Sequence, residues 1–142
     1  GLNIYWYIIG YGSDEAMIRE KIKETQIEER FVLIGKKENP YPYVKATDFY
    51  IQPSRYEGKA VTVREAQILE KPVIITNYPT AQSQLNDGVD GVIVPDSIKG
   101  AADGIEAFLK DKDKQYRIIA YLKAHHYGNE FEAKKIDKLL NE

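Results

Sequence analysis

Residues 49–76 have the sequence FYIQPSRYEGKAVTVREAQILEKPVIIT, which predicts a strand, a helix and a second strand. The short apolar runs FYIQ (49–52) and VIIT (73–76) are typical of buried strands. Residues 61–70 have helical character, and Lys71-Pro72 ends the helix because the residue before a proline is disfavoured in helical conformation. A strand–helix–strand unit of this kind connects two parallel strands.

The same alternation extends over the rest of the chain. Three further strands are predicted at 4–10, 31–35 and 91–94. Helices are predicted from an N-cap at Ser13 to about Thr25, within 39–47, at about 97–110 and 113–124, and at about 132–140. Short apolar strands that alternate with helices predict an α/β, doubly wound fold, in which helices cover both faces of a parallel sheet.

The composition indicates one globular domain over residues 1–142 and excludes several classes of function. The formal charge is −2, from 20 Lys and Arg against 22 Asp and Glu, which is too near neutral to predict a nucleic-acid partner. The absence of cysteine excludes disulfides, thiol nucleophiles and cysteine-ligated zinc. The adjacent His125 and His126 do not face each other on a helix, so no metal site is expected.

Targeting signals are not visible in the sequence. No apolar run approaches the roughly 18 residues that a membrane span needs, and no signal-like segment is present. A cytoplasmic location is compatible with this composition. The chain begins almost directly in a β-rich run without a starter methionine, so we expect a fragment of a longer protein.

Ligands of doubly wound sheets bind outside the carboxyl ends of the strands. The loops that follow the first four predicted strands are therefore the candidate sites: 10–13, 35–37, 53–59 and 77–80. Two carboxylates lie at or beside the third of these loops. Glu57 is in the loop itself and Glu65 is about one turn into the next helix, where both can accept hydrogen bonds from sugar hydroxyls.

The start of the helix between these acids is a candidate phosphate site. The backbone N–H groups of Lys59, Ala60 and Val61 are expected to point unpaired into a cleft, with Gly58 allowing close approach. The Lys59 side chain either assists the phosphate or is a solvated surface cation. A phosphate site flanked by carboxylates that bind hydroxyls predicts a nucleotide-sugar ligand.

The sequence GYGSDEAMIREKI…RFVLIG…YPYVKATDFYIQPSRYEGKAVTVREAQILEKPVIIT…DGVDGVIVP resembles the C-terminal, donor-binding domain of the retaining group 1 (family 4) glycosyltransferases of the GT-B fold. The resemblance covers about 4–95, and the tail 124–142 resembles the family's closing helix. Glu57 and Glu65 match its E-x7-E signature and are flanked by the matching pairs Pro53-Ser54 and Glu65-Ala66. Two acids eight positions apart are common by chance, but in register with the strands and glycines they are specific.

The resemblance implies a Rossmann-like, three-layer α/β/α domain and a role for each matched residue. Glu57 is implied as the catalytic carboxylate, which faces the donor sugar and stabilises positive charge at the reacting carbon. Glu65 is implied as the residue that binds the ribose hydroxyls. Transfer is implied to occur by front-face attack with retention, without a metal or cofactor. The remaining donor-binding positions are Gly58, Lys59, Ala60, Val61, Gly35, Lys36, Lys37, Gly10 and Gly12. For the two glycines of the Gly10-Tyr11-Gly12 turn, a purely structural role remains an alternative.

The resemblance also implies partners and missing parts. The donor is expected to be a nucleotide-sugar, with UDP-hexoses the commonest in the family. The acceptor is expected to be a saccharide or a lipid-linked saccharide of a surface polysaccharide pathway. It would bind an N-terminal domain that precedes residue 1. Any contact with the inner face of the plasma membrane would also be made by that domain. The family's first strand, which is central in the sheet, would also precede residue 1.

Three departures from the family pattern concern the site and its helix. Lys59-Ala60 follows the Glu57-Gly58 pair, where the family has Gly or Pro and a large apolar residue. Glu70 replaces a helix-ending glycine, which argues against the left-handed C-cap expected there. The segment YPTAQSQ (78–84) replaces a Gly-Gly pair and a Glu. Tyr41 and Tyr43 are expected to pack around their own short helix rather than to border the base.

Other functions on this fold remain open from the sequence. A nucleotide-sugar epimerase breaks the same bond to phosphate without an acceptor, and a regulatory module would retain the fold without the chemistry. A response-regulator domain is disfavoured, because its acidic pair after the first strand is not visible.

Overall fold

A computed structural model describes residues 2–127 and 130–141 of the chain. The chain divides into two compact units, residues 1–40 and 41–142. The first unit contains strand β1 (Trp6–Ile9), helix α1 (Glu15–Glu24) and strand β2 (Phe31–Gly35). The two strands are parallel, and the rings of Trp6 and Phe31, which are paired residues, stack with centroids 5.6 Å apart. The parallel connection through a helix is the one predicted.

Helix α1 begins later than the sequence predicted. Its N-cap is Asp14, which makes no side-chain hydrogen bond to the helix, so the predicted Ser13 cap is wrong. The Ser13 hydroxyl instead donates to the Asp14 carboxylate over 3.3 Å. The bond satisfies the hydroxyl locally, as short polar side chains commonly do at helix starts.

The second unit alternates helices and strands and ends in three helices. Its strands are parallel and hydrogen-bonded in the order β3-β4-β5. Its elements are α2 (Tyr41–Ala46), β3 (Tyr50–Gln52), α3 (Val61–Ile68), β4 (Val73–Thr76), a 3₁₀ turn (Ala81–Ser83), β5 (Gly91–Val94), α4 (Ile98–Lys110), α5 (Lys112–Ala124) and α6 (Glu130–Leu140).

Strand β4 is the centre of this unit, and all four of its residues are buried. Val73 and Ile75 pack on one face with Val63 of α3. Ile74 packs on the opposite face with Phe108 of α4 and residues of α5. Burial of one such aliphatic side chain is worth about 1.5–3 kcal/mol. Helices therefore cover both faces of the sheet, and the predicted α/β class with three layers is confirmed.

Hydrogen bonds join the strands in two parallel sheets, β1-β2 and β3-β4-β5, rather than in the single sheet that the alternation predicted. Within the described residues, β1 and β3 each pair along one edge only. Among the helices that the structure describes, none is long and apolar enough to cross a membrane.

Helix α3 ends in the left-handed cap that Glu70 argued against. Glu70 has φ 61° and follows the last helical turn. Its N–H donates to the Gln67 carbonyl (2.9 Å), and the Lys71 N–H donates to the Ala66 carbonyl (3.0 Å). These two bonds form a Schellman motif, which here outweighs the roughly 1–2 kcal/mol that a side chain costs in this conformation.

Candidate functional site

The loop after β3 carries Glu57, and one of its carboxylate oxygens is held by two donors. Oε1 accepts from Nε2 of Gln52 (2.8 Å) and from the Ser54 hydroxyl (2.7 Å). The Gln52 amide is itself oriented, because its Oε1 accepts from the hydroxyls of Tyr50 (3.1 Å) and Thr62 (2.9 Å). Among the described residues, Oε2 of Glu57 receives no hydrogen bond and is available to a ligand.

Glu65 lies one turn into α3 and is held from a different helix. Its Oε1 accepts from the Tyr41 hydroxyl over 2.8 Å. Tyr41 belongs to α2 and is 8% exposed, so the hydrogen bond ties the acid to a buried side chain. The sequence predicted that Tyr41 and Tyr43 pack around their own short helix; Tyr41 is buried against Leu69 and Ile136, whereas Tyr43 is 43% exposed. The Tyr41 hydroxyl also orients an E-x7-E carboxylate.

The negative charges of Glu57 and Glu65 both affect the pKa of Tyr50, the first residue of β3. Burial raises the pKa of Tyr50, a hydrogen bond with Thr62 lowers it, and the negative charges of Glu65 and Glu57 raise it further. The pKa of Tyr78 is raised by burial and also by the charge of Glu57. Both carboxylates therefore raise the pKa of the same hydroxyl, that of Tyr50.

Four backbone N–H groups beside these acids are free donors within the described residues. The N–H groups of Gly58, Lys59, Ala60 and Thr62 have no acceptor among those residues. The N–H of Val61 donates to the Lys59 carbonyl (3.0 Å), so the expectation that it points unpaired into a cleft is wrong. Helix α3 has no side-chain cap, which leaves its partial positive charge exposed. The arrangement suits an anion.

Space is available next to these donors. A Cβ added at Gly58 would meet no atom within 4 Å, so the loop faces open space there. The Lys59 side chain is exposed and makes no ion pair within the part of the chain that the structure describes. Both roles foreseen for Lys59, a phosphate ligand and a solvated cation, are compatible with this position.

The other predicted donor-binding residues lie in the first unit. Gly10 (φ 141°) follows β1 and Gly35 (φ 73°) is the last residue of β2, and the Gly10 N–H donates to the Gly35 carbonyl over 3.0 Å. Gly12 is exposed before α1. These conformations favour glycine, so a structural reason for Gly10 and Gly35 exists beside the predicted ligand role.

The two lysines after β2 differ in exposure. Lys36 is exposed, and its ammonium group lies 5.2 Å from the ring centre of Tyr11. Lys37 is half-buried and has an interaction partner of its own. Their predicted place beside the base stays a prediction. Within the described residues, no three histidine, aspartate or glutamate side chains are grouped to hold a metal ion.

Sequence reasoning did not identify Gln52 and Tyr41 as the residues that donate hydrogen bonds to Glu57 and Glu65. Tyr41 is 24 residues from Glu65, and no helical or strand spacing relates them. Gln52 could have been found, because the last residue of a parallel strand lies at the edge where ligands bind.

Comparison with known proteins identifies a family that this chain matches. The model of the family described as "Glycosyl transferases group 1" matches residues 2–125. The lipopolysaccharide core biosynthesis mannosyltransferase LpsB of Rhizobium meliloti is 24% identical over 103 residues, which are 70% of this chain. The chain spans 29% of the length of LpsB.

Two solved structures share the fold. TarM of S. aureus, crystallised as its G117R mutant with fondaparinux, alpha-GlcNAc-glycerol and UDP, has a TM-score of 0.76 and 22% identity over 97% of this chain and 29% of its own. HepE of Anabaena, crystallised with UDP-glucose, has a TM-score of 0.76 and 18% identity over 99% of this chain and 40% of its own. At these identities the likeness establishes the fold.

Proposed function

The chain belongs to the glycosyl transferases group 1 family, and we propose that it binds the nucleotide-sugar donor of an enzyme that transfers a hexosyl group with retention. The observation that carries this proposal is the position of the E-x7-E carboxylates. Glu57 and Glu65 each have one oxygen fixed by a neighbour, and along the chain they flank backbone N–H groups that have no acceptor among the described residues. Fixed carboxylates suit sugar and ribose hydroxyls, and free N–H groups suit a diphosphate.

In the proposed transfer, the bonds formed and broken and the proton are accounted for without a cofactor or metal. The oxygen of an acceptor hydroxyl forms a bond to the anomeric carbon on the face that the diphosphate leaves. The bond between that carbon and the phosphate oxygen breaks, and its electron pair stays with the diphosphate, which accepts the proton of the acceptor. Glu57 stabilises the positive charge that develops on the sugar, and the N–H groups near Lys59 stabilise the negative charge on the leaving group.

The relatives support a choice of donor and of pathway. TarM and HepE were crystallised with UDP and UDP-glucose, which supports a UDP-hexose. LpsB acts in lipopolysaccharide core biosynthesis, which supports a saccharide or lipid-linked acceptor in a surface polysaccharide or glycolipid pathway. We also propose that the reaction takes place in the cytoplasm. Acceptor binding and any contact with the inner face of the plasma membrane are proposed to involve a further domain.

Calorimetry with UDP-, GDP- and ADP-glucose tests donor binding in the full-length protein. We expect the wild type to bind one of the three, and Glu65→Gln to weaken binding about tenfold or more, since a hydrogen bond to a charged group is worth about 1.5–3 kcal/mol. Glu70→Gln is the matched control, because Glu70 caps the far end of the same helix. Absence of binding to all three nucleotide-sugars would contradict the proposal.

Turnover distinguishes an enzyme from a binding module. In the full-length protein, Glu57→Gln should lower kcat about a hundredfold, because it removes a charge that acts mainly on the transition state. Donor affinity should change much less. A Glu57→Gln variant with wild-type kcat would exclude the catalytic role and leave a binding function.

A further inference from the structure

The loop that carries Glu57 is held by side chains of the segment after β4. The Thr80 hydroxyl donates to the Glu57 carbonyl (2.7 Å) and lies 3.1 Å from the Gly58 carbonyl. Nε2 of Gln84 donates to the Gly58 carbonyl (2.9 Å) and lies 3.2 Å from the Thr80 hydroxyl oxygen. Oε1 of Gln84 accepts from the Tyr78 hydroxyl (3.0 Å). Two consecutive loop carbonyls are thus anchored on one side.

The donors and acceptors of this cluster match one to one. Tyr78 donates its single hydrogen to Gln84, and the two amide hydrogens of Gln84 serve Gly58 and Thr80. The single hydroxyl hydrogen of Thr80 then serves Glu57. The bond between Tyr78 and Gln84 is buried, and the bonds from Thr80 and Gln84 to the loop are part-buried. A network whose donors and acceptors are all satisfied favours one geometry of its members.

Anchoring the carbonyls also orients the N–H groups of the same peptides. A peptide unit is planar and trans, so its C=O and N–H point in opposite directions. The Glu57 and Gly58 carbonyls face the segment 78–84, and the N–H groups of Gly58 and Lys59 therefore face away from it. Neither N–H has an acceptor within the described residues. Adjacent N–H groups that face the same way form an anion-binding concavity.

We propose that Tyr78, Thr80 and Gln84, here called the carbonyl clamp, are positioning residues that hold the N–H groups of Gly58 and Lys59 towards the diphosphate of the donor. This role rests on the proposed function of the site. It gives a purpose to the segment YPTAQSQ (78–84), which contains all three residues of the clamp. The 3₁₀ turn between Thr80 and Gln84 brings both side chains to the loop.

Paired ligands with and without the diphosphate test this role in the full-length protein. UDP, GDP and ADP and their nucleosides are titrated by NMR, and the pair that the wild type binds is used for the variants. We expect Thr80→Val and Gln84→Met to weaken binding of the nucleoside diphosphate about tenfold, because the N–H donors lose their orientation. Binding of the nucleoside should be unchanged, since the clamp does not touch it.

Three controls separate positioning from general damage. Thr80→Ser retains the hydroxyl and should restore wild-type affinity. Gln82→Met makes the same chemical change as Gln84→Met at an exposed residue of the same turn, and should bind like the wild type. Urea unfolding identifies any variant that loses its fold. If Gln84→Met does so, the positioning role is judged by comparing the diphosphate affinities of Thr80→Val and Thr80→Ser.

The outcomes are distinct. Equal losses for the diphosphate and the nucleoside would assign the clamp a merely structural role, and unchanged affinity in both variants would also overturn the proposal. If the wild type binds none of the three diphosphates, the proposed function itself fails, and the clamp role fails with it.

Discussion

Removing the Tyr41 hydroxyl tests how far the site depends on a bond between two helices. The change Tyr41→Phe deletes the donor that lies 2.8 Å from Oε1 of Glu65 and keeps the buried ring, so it creates little empty space. A hydrogen bond to a charged group is worth about 1.5–3 kcal/mol. Glu65 is half-exposed and water can replace the lost donor, so we expect a loss of about 1 kcal/mol in the free energy of unfolding.

The same change should affect donor binding. Without the Tyr41 hydroxyl the Glu65 carboxylate is free to rotate, and we expect about fivefold weaker binding of the nucleotide-sugar. Urea unfolding measures the stability and calorimetry the affinity. Tyr116→Phe is the control, because this tyrosine is 70% exposed on α5. In a double-mutant cycle with Glu65→Gln, a coupling below about 0.3 kcal/mol would refute the reasoning.

Three further substitutions test the fold and the site. Gly91→Ala should lower the free energy of unfolding by about 1–3 kcal/mol, because its Cβ would lie 2.6 Å from the Val73 carbonyl oxygen; a wild-type urea midpoint would contradict this. Gly58→Ala should change stability by less than about 0.5 kcal/mol, since its Cβ meets nothing within 4 Å, but should weaken nucleotide-sugar binding in calorimetry; unchanged affinity would place the ligand elsewhere. Burial, with the charge and hydrogen bond of Asp90, raises the pKa of Tyr127 above its ordinary value of about 10. The unfolded chain therefore releases this proton first, so stability is complete below about pH 10 and falls as the pH rises further. Tyr127→Phe should reduce that fall, measured by urea unfolding between about pH 10 and 12, and an equal fall in both proteins would contradict the assignment.

The elements that the sequence predicted best are short apolar strands with clear ends. Strands β2, β4 and β5 have the predicted bounds, because each is a continuous apolar run between polar residues or turns. The first strand is shorter than the predicted 4–10 and covers Trp6–Ile9. Ile4 and Tyr5 are exposed, so their apolar character alone did not indicate pairing.

The acids of the site were visible in the sequence, but the contacts that hold them were not. Glu57 and Glu65 are eight positions apart in a local strand–turn–helix pattern, which a sequence displays directly. The Glu57 carboxylate is held locally by Gln52 and Ser54. The bond to the Glu65 carboxylate comes from Tyr41, 24 residues away, and the bond to the Glu57 carbonyl comes from Thr80, 23 residues away. Such pairs depend on how helices pack on the sheet, which no local spacing encodes. The cap at Glu70 was missed for a related reason, since two backbone bonds outweigh the preference of its side chain.

The complete burial of β4 has a consequence for how the molecule moves. Segments with the most buried side chains are the last to exchange their amide hydrogens with solvent, whereas exposed loops open at little cost. The donors and acids described above sit on loops and a helix start around the ends of this strand, not within it. The Gly58 and Lys59 N–H groups, which have no acceptor among the described residues, should therefore exchange quickly although the clamp holds their loop, while the strand keeps its protons for as long as the unit stays folded.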